Sequence, residues 1–147
     1  MIVPQRELEA LVGHAFPGGR YRIAHWENFL LTEATGAEPL PDGLAHPAHL
    51  FHAPIHGVGI SIAELFELGR ADSDASVTID YYDWEYPQPL REEQEYDLSG
   101  GIVEHERRVL ESGPTVDSLT FRIELRDPAD LLAARSTIRW HFWRFAE

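Results

Sequence analysis

The chain has 147 residues, 44% hydrophobic and 11% aromatic, with 25 acidic against 12 basic side chains and a formal net charge of −13. This is the composition of one globular domain with a real core, residues 1–147, rather than of a disordered segment. The acidic balance argues against nucleic acid and anionic membranes as partners, since both need a basic surface, and the lack of cysteine rules out disulfides, thiolate nucleophiles and Cys-based metal sites.

The chain starts MIVPQRELEALVG, with no basic region ahead of an apolar core, and no run reaches the roughly 18 apolar residues of a membrane span. A soluble cytoplasmic protein is expected. Residues 4–12 read as a short helix: Pro4 suits a first turn, and Leu8, Leu11 and Val12 share a face. A turn at Pro17, Gly18 and Gly19 leads to a short strand over 20–25. A second helix is expected over 26–35, with Phe29, Leu30 and Ala34 inward and Gly36 as its stop. Residues 37–56 hold Pro39, Pro41, Pro47 and Pro54, which argue for irregular backbone. A helix over 57–68 then carries Val58, Ile60, Ile62, Ala63, Leu65, Phe66 and Leu68, interrupted only by Ser61, Glu64 and Glu67. A helix apolar on nearly every side is expected to be buried.

Beyond Ser76 the hydrophobic period falls from 3.6 to 2. Val77, Ile79 and Tyr81 alternate with polar neighbours; strands follow near 94–98 and 101–111; Leu119, Phe121, Ile123 and Leu125 alternate with Thr120, Arg122 and Glu124; and a last strand over 134–145 carries Ile138, Trp140 and Phe142 on one face. Gly113–Pro114 and Asp127–Pro128 supply turns. Helices followed by antiparallel strands make an α+β protein, and a curved sheet wrapped around one long helix, the hotdog fold, buries such a helix.

The order and spacing of several segments also resemble the MaoC-like dehydratase group of the hotdog superfamily, over nearly the whole chain. ELEALVG at 7–13, ATG at 34–36, PIHGVGISIAELFEL at 54–68 and DWEYPQPLREEQEYDLSGGIVEHERR at 83–108 carry the likeness. The resemblance implies a hotdog fold, an acyl thioester of coenzyme A or acyl carrier protein as ligand, a homodimer or hotdog hetero-oligomer, and hydration or dehydration by an Asp/His pair in a motif close to A-x-G-D-x-N-P-x-H. In this chain the Asp position holds Ala37 and the His position Pro41, and neither transfers a proton.

A substitute pair is expected in His49 and Glu64, whose arrangement resembles that of the β-hydroxyacyl carrier-protein dehydratases, where a loop His faces an acid on the central helix. A carboxylate on a buried helix beside a neutral imidazole could exchange protons near pH 7. Asp42 with His46 is a less supported pair. Gly57, at the expected start of the central helix, would offer backbone N–H groups to a thioester carbonyl, and His56, His52 and His46 would line the ligand. The spacing of His46, His49 and His52 also suits zinc, but Pro47 and Pro54 oppose the helical placement such a site relies on, so neither metal nor cofactor is expected. The expected function is an acyl-thioester hydratase or dehydratase. The alternatives are a non-catalytic hotdog subunit that pairs with a catalytic one, and a hotdog thioesterase with Glu64 activating water.

Overall fold

The structure is a computed structural model, and it describes residues 2–111 and 113–145. Five antiparallel strands form one sheet in the order β1-β3-β4-β5-β2. They are β1 (Gly19–Arg22), β2 (Val77–Glu85), β3 (Glu95–Val109), β4 (Thr115–Arg126) and β5 (Leu132–Arg144). The two strands expected near 94–98 and 101–111 are the two ends of the single strand β3. Register shifts at Ile79/Tyr81, Ile102/Glu104 and Leu125/Arg126 interrupt the ladders. Such bulges bend and twist a sheet, and here they let it curl.

The concave face of the sheet is the core. Leu119, Phe121, Ile123 and Leu125 of β4 meet Ile138, Trp140 and Phe142 of β5, all buried. The alternation read from the sequence therefore assigns the faces of these strands correctly.

Four helices accompany the sheet: α1 (Gln5–Glu9), α2 (His25–Thr35), α3 (His49–Gly57) and α4 (Ile62–Leu68). Gly36 ends α2 in the left-handed region, with φ 68°, as its position predicts. Phe29, Leu30 and Ala34, expected inward, are all exposed, Phe29 and Leu30 by 55% each. The inward side of α2 is instead fixed by polar contacts: Asn28 Nδ2 donates to Glu92 Oε2 at 2.8 Å and to Leu44 O at 3.3 Å.

The helix laid on the concave face is α3, inside the segment whose prolines suggest a loop. Its buried residues are His49, Leu50, Ala53, Pro54 and Gly57, which share one side of a 3.6-residue helix. Pro47 precedes the first turn, where a missing N–H costs nothing. Only Pro54 removes an internal donor. The single long buried helix expected over 57–68 is not formed. Val58 closes α3, and Ser61 starts α4 afresh, its Oγ accepting Glu64 N–H at 3.1 Å while Glu64 Oε2 accepts Ser61 N–H at 2.8 Å. This reciprocal cap wins over the continuous apolar pattern. No residue of α4 is buried, and Ile62 is 42% exposed.

α3 approaches the sheet closely because glycines face each other there. A Cβ on Gly19 would sit 2.5 Å from Gly57 O, and one on Gly57 would sit 3.0 Å from Leu98 and from Tyr21 Cβ. Gly57 therefore serves backbone contact at the end of a helix, and it does not open one. Its expected role as an amide-rich helix start is overturned. No helix of the described residues is long and apolar enough to cross a membrane.

Candidate functional site

Spacings of three and four residues put His49, His52 and His56 on one stripe of α3. That stripe faces α2 across a cleft of about 330 Å³, lined by Trp26, Glu27, Leu30, Leu31, His49, His52 and His56. His49 forms its floor. The residue is 2% exposed and its Nε2 is buried without a hydrogen-bond partner. Buried polar atoms are normally paired, and an orphan invites an explanation.

Burial pushes the His49 imidazole below its ordinary pKa, Glu27 pulls it up, and His52 and His46 push it further down. The downward effects prevail, so His49 is neutral at pH 7. Glu27 Oε2 accepts the Tyr21 hydroxyl, and its Oε1 accepts Ala24 N–H at 3.2 Å. The Tyr21 phenol is pushed well above its ordinary range, by burial first and then by Glu27. Its ring stacks on His56 with centroids 5.8 Å apart and planes at 14°. The cleft thus holds a neutral imidazole with a free nitrogen, a carboxylate held by two donors, and an apolar rim of Trp26, Leu30 and Leu31. Such a set can accept a proton and steady the resulting imidazolium.

The other expected site residues are placed differently. Glu64 is exposed, its carboxylate is engaged by Ser61, and it does not line the cleft. No hydrogen bond joins it to His49, so the burial and pairing on which the His49–Glu64 dyad depends are absent. His46 is structural in this chain. Its Nδ1 accepts Ala48 N–H at 3.0 Å, its Nε2 lies 3.3 Å from Thr35 Oγ1, and its N–H donates to Asn28 Oδ1 at 2.9 Å. The network assigns a proton to Nε2. Asp42 is an exposed turn residue with φ 59°, and the ring contacts of His46 go to Thr35 and Ala48 rather than to it. Among the described residues no group of three or more His, Asp or Glu is placed to hold a metal ion.

Glu27 and Tyr21 are absent from the sequence-derived site. Glu27 stands where an acidic first-turn residue caps a helix, and nothing local says that α3 will pack opposite it. Position 27 becomes informative only once α2 and α3 are known to be neighbours.

A second, apolar cavity of about 250 Å³ lies between α3, α4 and the sheet, lined by Phe51, Ile55, Phe66, Phe121, Ile138 and Trp140 among others. At about 100° per residue, Phe51 and Ile55 lie to one side of the histidine stripe, and the cavity and the cleft share no lining residue.

No family model and no curated relative matches the sequence. Solved structures do match the fold. The ChsH1–ChsH2 complex of Mycobacterium tuberculosis superposes with a TM-score of 0.71 at 14% identity, over 97% of this chain and 92% of that one. The HadBC (3R)-hydroxyacyl-ACP dehydratase complex of the same organism gives 0.68 at 9% identity, over 89% and 96%. A MaoC-like dehydratase gives 0.64 at 14% identity, covering 92% of this chain and 43% of its own. At these identities the likeness is one of fold: the chain has the hotdog fold in the form seen in MaoC-like dehydratases.

Proposed function

We propose that this hotdog protein binds an acyl thioester of coenzyme A or acyl carrier protein and hydrates the enoyl form, or dehydrates the 3-hydroxy form, with His49 as the acid/base group. The observation that carries this reading is the buried, neutral imidazole of His49, with Nε2 unpartnered on the floor of a cleft rimmed by Trp26, Leu30 and Leu31. Among the fold neighbours, HadBC is described as a (3R)-hydroxyacyl-ACP dehydratase, which supports the same chemistry. His52 and His56, exposed on the same stripe, would contact the thioester arm. Gly57 and His46 are left as packing and scaffold residues.

In hydration, His49 Nε2 removes a proton from water as the water oxygen bonds to Cβ. The electrons of the carbon–carbon double bond move to form the thioester enolate. The imidazolium then returns that proton to Cα, and the net change is addition of H and OH. The test is hydration of a crotonyl-type thioester, followed by loss of the enoyl absorbance. Wild-type turnover that survives unchanged in His49→Gln removes this site.

A second reading is favoured by two observations. Ala37 and Pro41 stand where the resembled motif has its acid and base, and the apolar cavity shares no lining residue with the proton-handling cleft. A hotdog subunit that shapes the acyl site for a catalytic partner fits both, and the ChsH1–ChsH2 and HadBC neighbours are themselves complexes. Acyl-thioester binding without turnover by the isolated chain, with turnover appearing on addition of a hotdog partner, would select it. The exposed edge strand β2, carrying Ile79, Tyr81 and Trp84, is the surface through which either assembly would form. A thioesterase reading loses its support with the exposed position of Glu64.

A further inference from the structure

The cleft contains a second ionisable group beside His49. We infer that Glu27 is a catalytic residue of the cleft, its carboxylate binding the attacking water and facing the imidazolium of His49, with Tyr21 as the positioning residue that holds it there. The inference rests on the hydratase reading of the His49 cleft.

Three observations carry it. Glu27 and His49 line the same cleft from opposite helices, α2 and α3. The Glu27 carboxylate is held from two sides, by the Tyr21 hydroxyl on Oε2 and by Ala24 N–H on Oε1. Two hydrogen bonds of this kind fix a side chain that would otherwise sample several rotamers. Finally, His49 Nε2 is buried without a hydrogen-bond partner, so the nitrogen that would take a proton is uncommitted in the cleft that Glu27 also lines.

The proton path is short and balanced. Glu27 accepts one hydrogen bond from the bound water, directing its lone pair at Cβ. His49 takes the other water proton as the C–O bond forms, and the positive charge that appears on the imidazole faces the Glu27 carboxylate. The same proton then passes to Cα, and His49 is neutral again. Glu27 is unchanged throughout. Its contribution is orientation of the water and stabilisation of charge in a site partly shielded from solvent. His46 from the preceding loop, and His52 and His56 from α3, are the other ionisable groups near His49. His52 and His46 push the His49 imidazole down and Glu27 pulls it up, and among the described residues lining the cleft Glu27 is the acidic one.

Glu27 also caps α2, so the experiment must separate catalysis from folding. Glu27→Gln keeps a carbonyl oxygen for Ala24 N–H while removing the charge, and Tyr21→Phe keeps the ring against His56. Both are compared with His49→Gln as purified full-length protein in hydration of a crotonyl-type thioester, with thermal melts recorded in parallel. Glu27→Gln is expected to melt like the wild type, to lose roughly 10²- to 10⁴-fold in kcat with a small change in KM, and to shift the acidic limb of the kcat profile to lower pH. Tyr21→Phe is expected to fall between Glu27→Gln and the wild type. NMR titration of His49 supplies a readout independent of turnover: Glu27→Gln should lower the imidazole pKa. Wild-type kcat in Glu27→Gln while His49→Gln is inactive overturns the role of Glu27 and leaves the hydratase reading intact. An unmoved His49 titration overturns it whether or not the protein turns over. Wild-type protein that hydrates no enoyl thioester, alone or with a partner, removes both.

Discussion

His49 is a buried base whose cost to the fold is measurable apart from any activity. A buried polar atom without a partner costs about 1–3 kcal/mol, so His49→Leu should leave the melting temperature unchanged or raise it while abolishing ligand turnover. The pH dependence follows from the direction of the shift. Burial lowers the pKa of His49, and likewise that of His141 on β5. The unfolded chain therefore takes up protons before the folded one does. Each residue contributes stability that is intact above the unfolded value of about 6.5 and lost as pH falls below it. Thermal melts between pH 7.5 and pH 5 should show a decline, with a smaller decline in His49→Leu. An equal decline in both proteins would mean that His49 titrates as it does in water.

At the scale of elements, one carboxylate links several. Asp117 on β4 is fully buried and accepts hydrogen bonds from His105 at 3.0 Å, Arg107 at 2.8 and 2.9 Å, and Arg144 at 3.0 Å. Arg144 also donates to Gly69 O and Arg70 O at the end of α4, and Arg107 to Val3 O. Strands β3, β4 and β5, the C-terminus of α4 and the start of the chain thus meet at one side chain. Burial pushes the Asp117 carboxyl up, but the bonds from Arg107, His105 and Arg144 outweigh it and hold the group below the usual range. Its stabilising effect is present in full above the unfolded value of about 3.9 and is lost below it, as pH falls through the lower folded value. Asp117→Asn leaves the buried guanidinium of Arg144 and the part-buried one of Arg107 without their counter-ion and should cost about 3–5 kcal/mol, read as a fall in the denaturation midpoint. The contact between α3 and β1 has a similar test. Gly19→Ala drives a Cβ against Gly57 O, and overpacking of this kind costs about 1–3 kcal/mol. It should also weaken ligand binding, because α3 carries the histidine stripe. These same elements show what the sequence could and could not reveal. The strands were legible because alternating side chains report which face is buried, and Leu119 to Leu125 of β4 and Ile138 to Phe142 of β5 carry that alternation, whereas on β2 a bulge breaks it and leaves Ile79 and Tyr81 exposed. The central helix was not, because Pro47 and Pro54 oppose helix locally while Gly19 and Gly57 permit close packing only between distant segments. Glu64 misled for a related reason: its position on an apolar pattern suggested burial, whereas Ser61 uses it as a cap. His49 could be singled out as a candidate, but its neighbour across the cleft depends on how α2 and α3 pack, and no spacing along the chain encodes that.

For the molecule as a whole, the question is what covers β2. It is an edge strand of the sheet, and Ile79, Tyr81 and Trp84 on it are 56%, 39% and 37% exposed. Long apolar edges invite strand pairing unless something blunts them. The bulge at Ile79/Tyr81 sits within this strand and sets which residues a second strand could meet. Pairing β2 with β2 of another copy would extend the sheet and cover these side chains, yet it would bring together two chains that each carry a formal charge of −13. Self-association must then work against long-range repulsion, which salt screens over roughly 8–10 Å at ordinary ionic strength. A homodimer of this chain should therefore tighten as salt is raised from 50 to 500 mM, in the manner of any like-charged pair. A hetero-oligomer with a basic partner should loosen over the same range. Sedimentation of the isolated protein across that series separates the two. Ile79→Asp, which puts a charge on the edge without entering the core, should shift either assembly toward monomer. If the wild type stays monomeric at every salt concentration and Ile79→Asp changes nothing in the presence of a hotdog partner, β2 is not the surface of assembly.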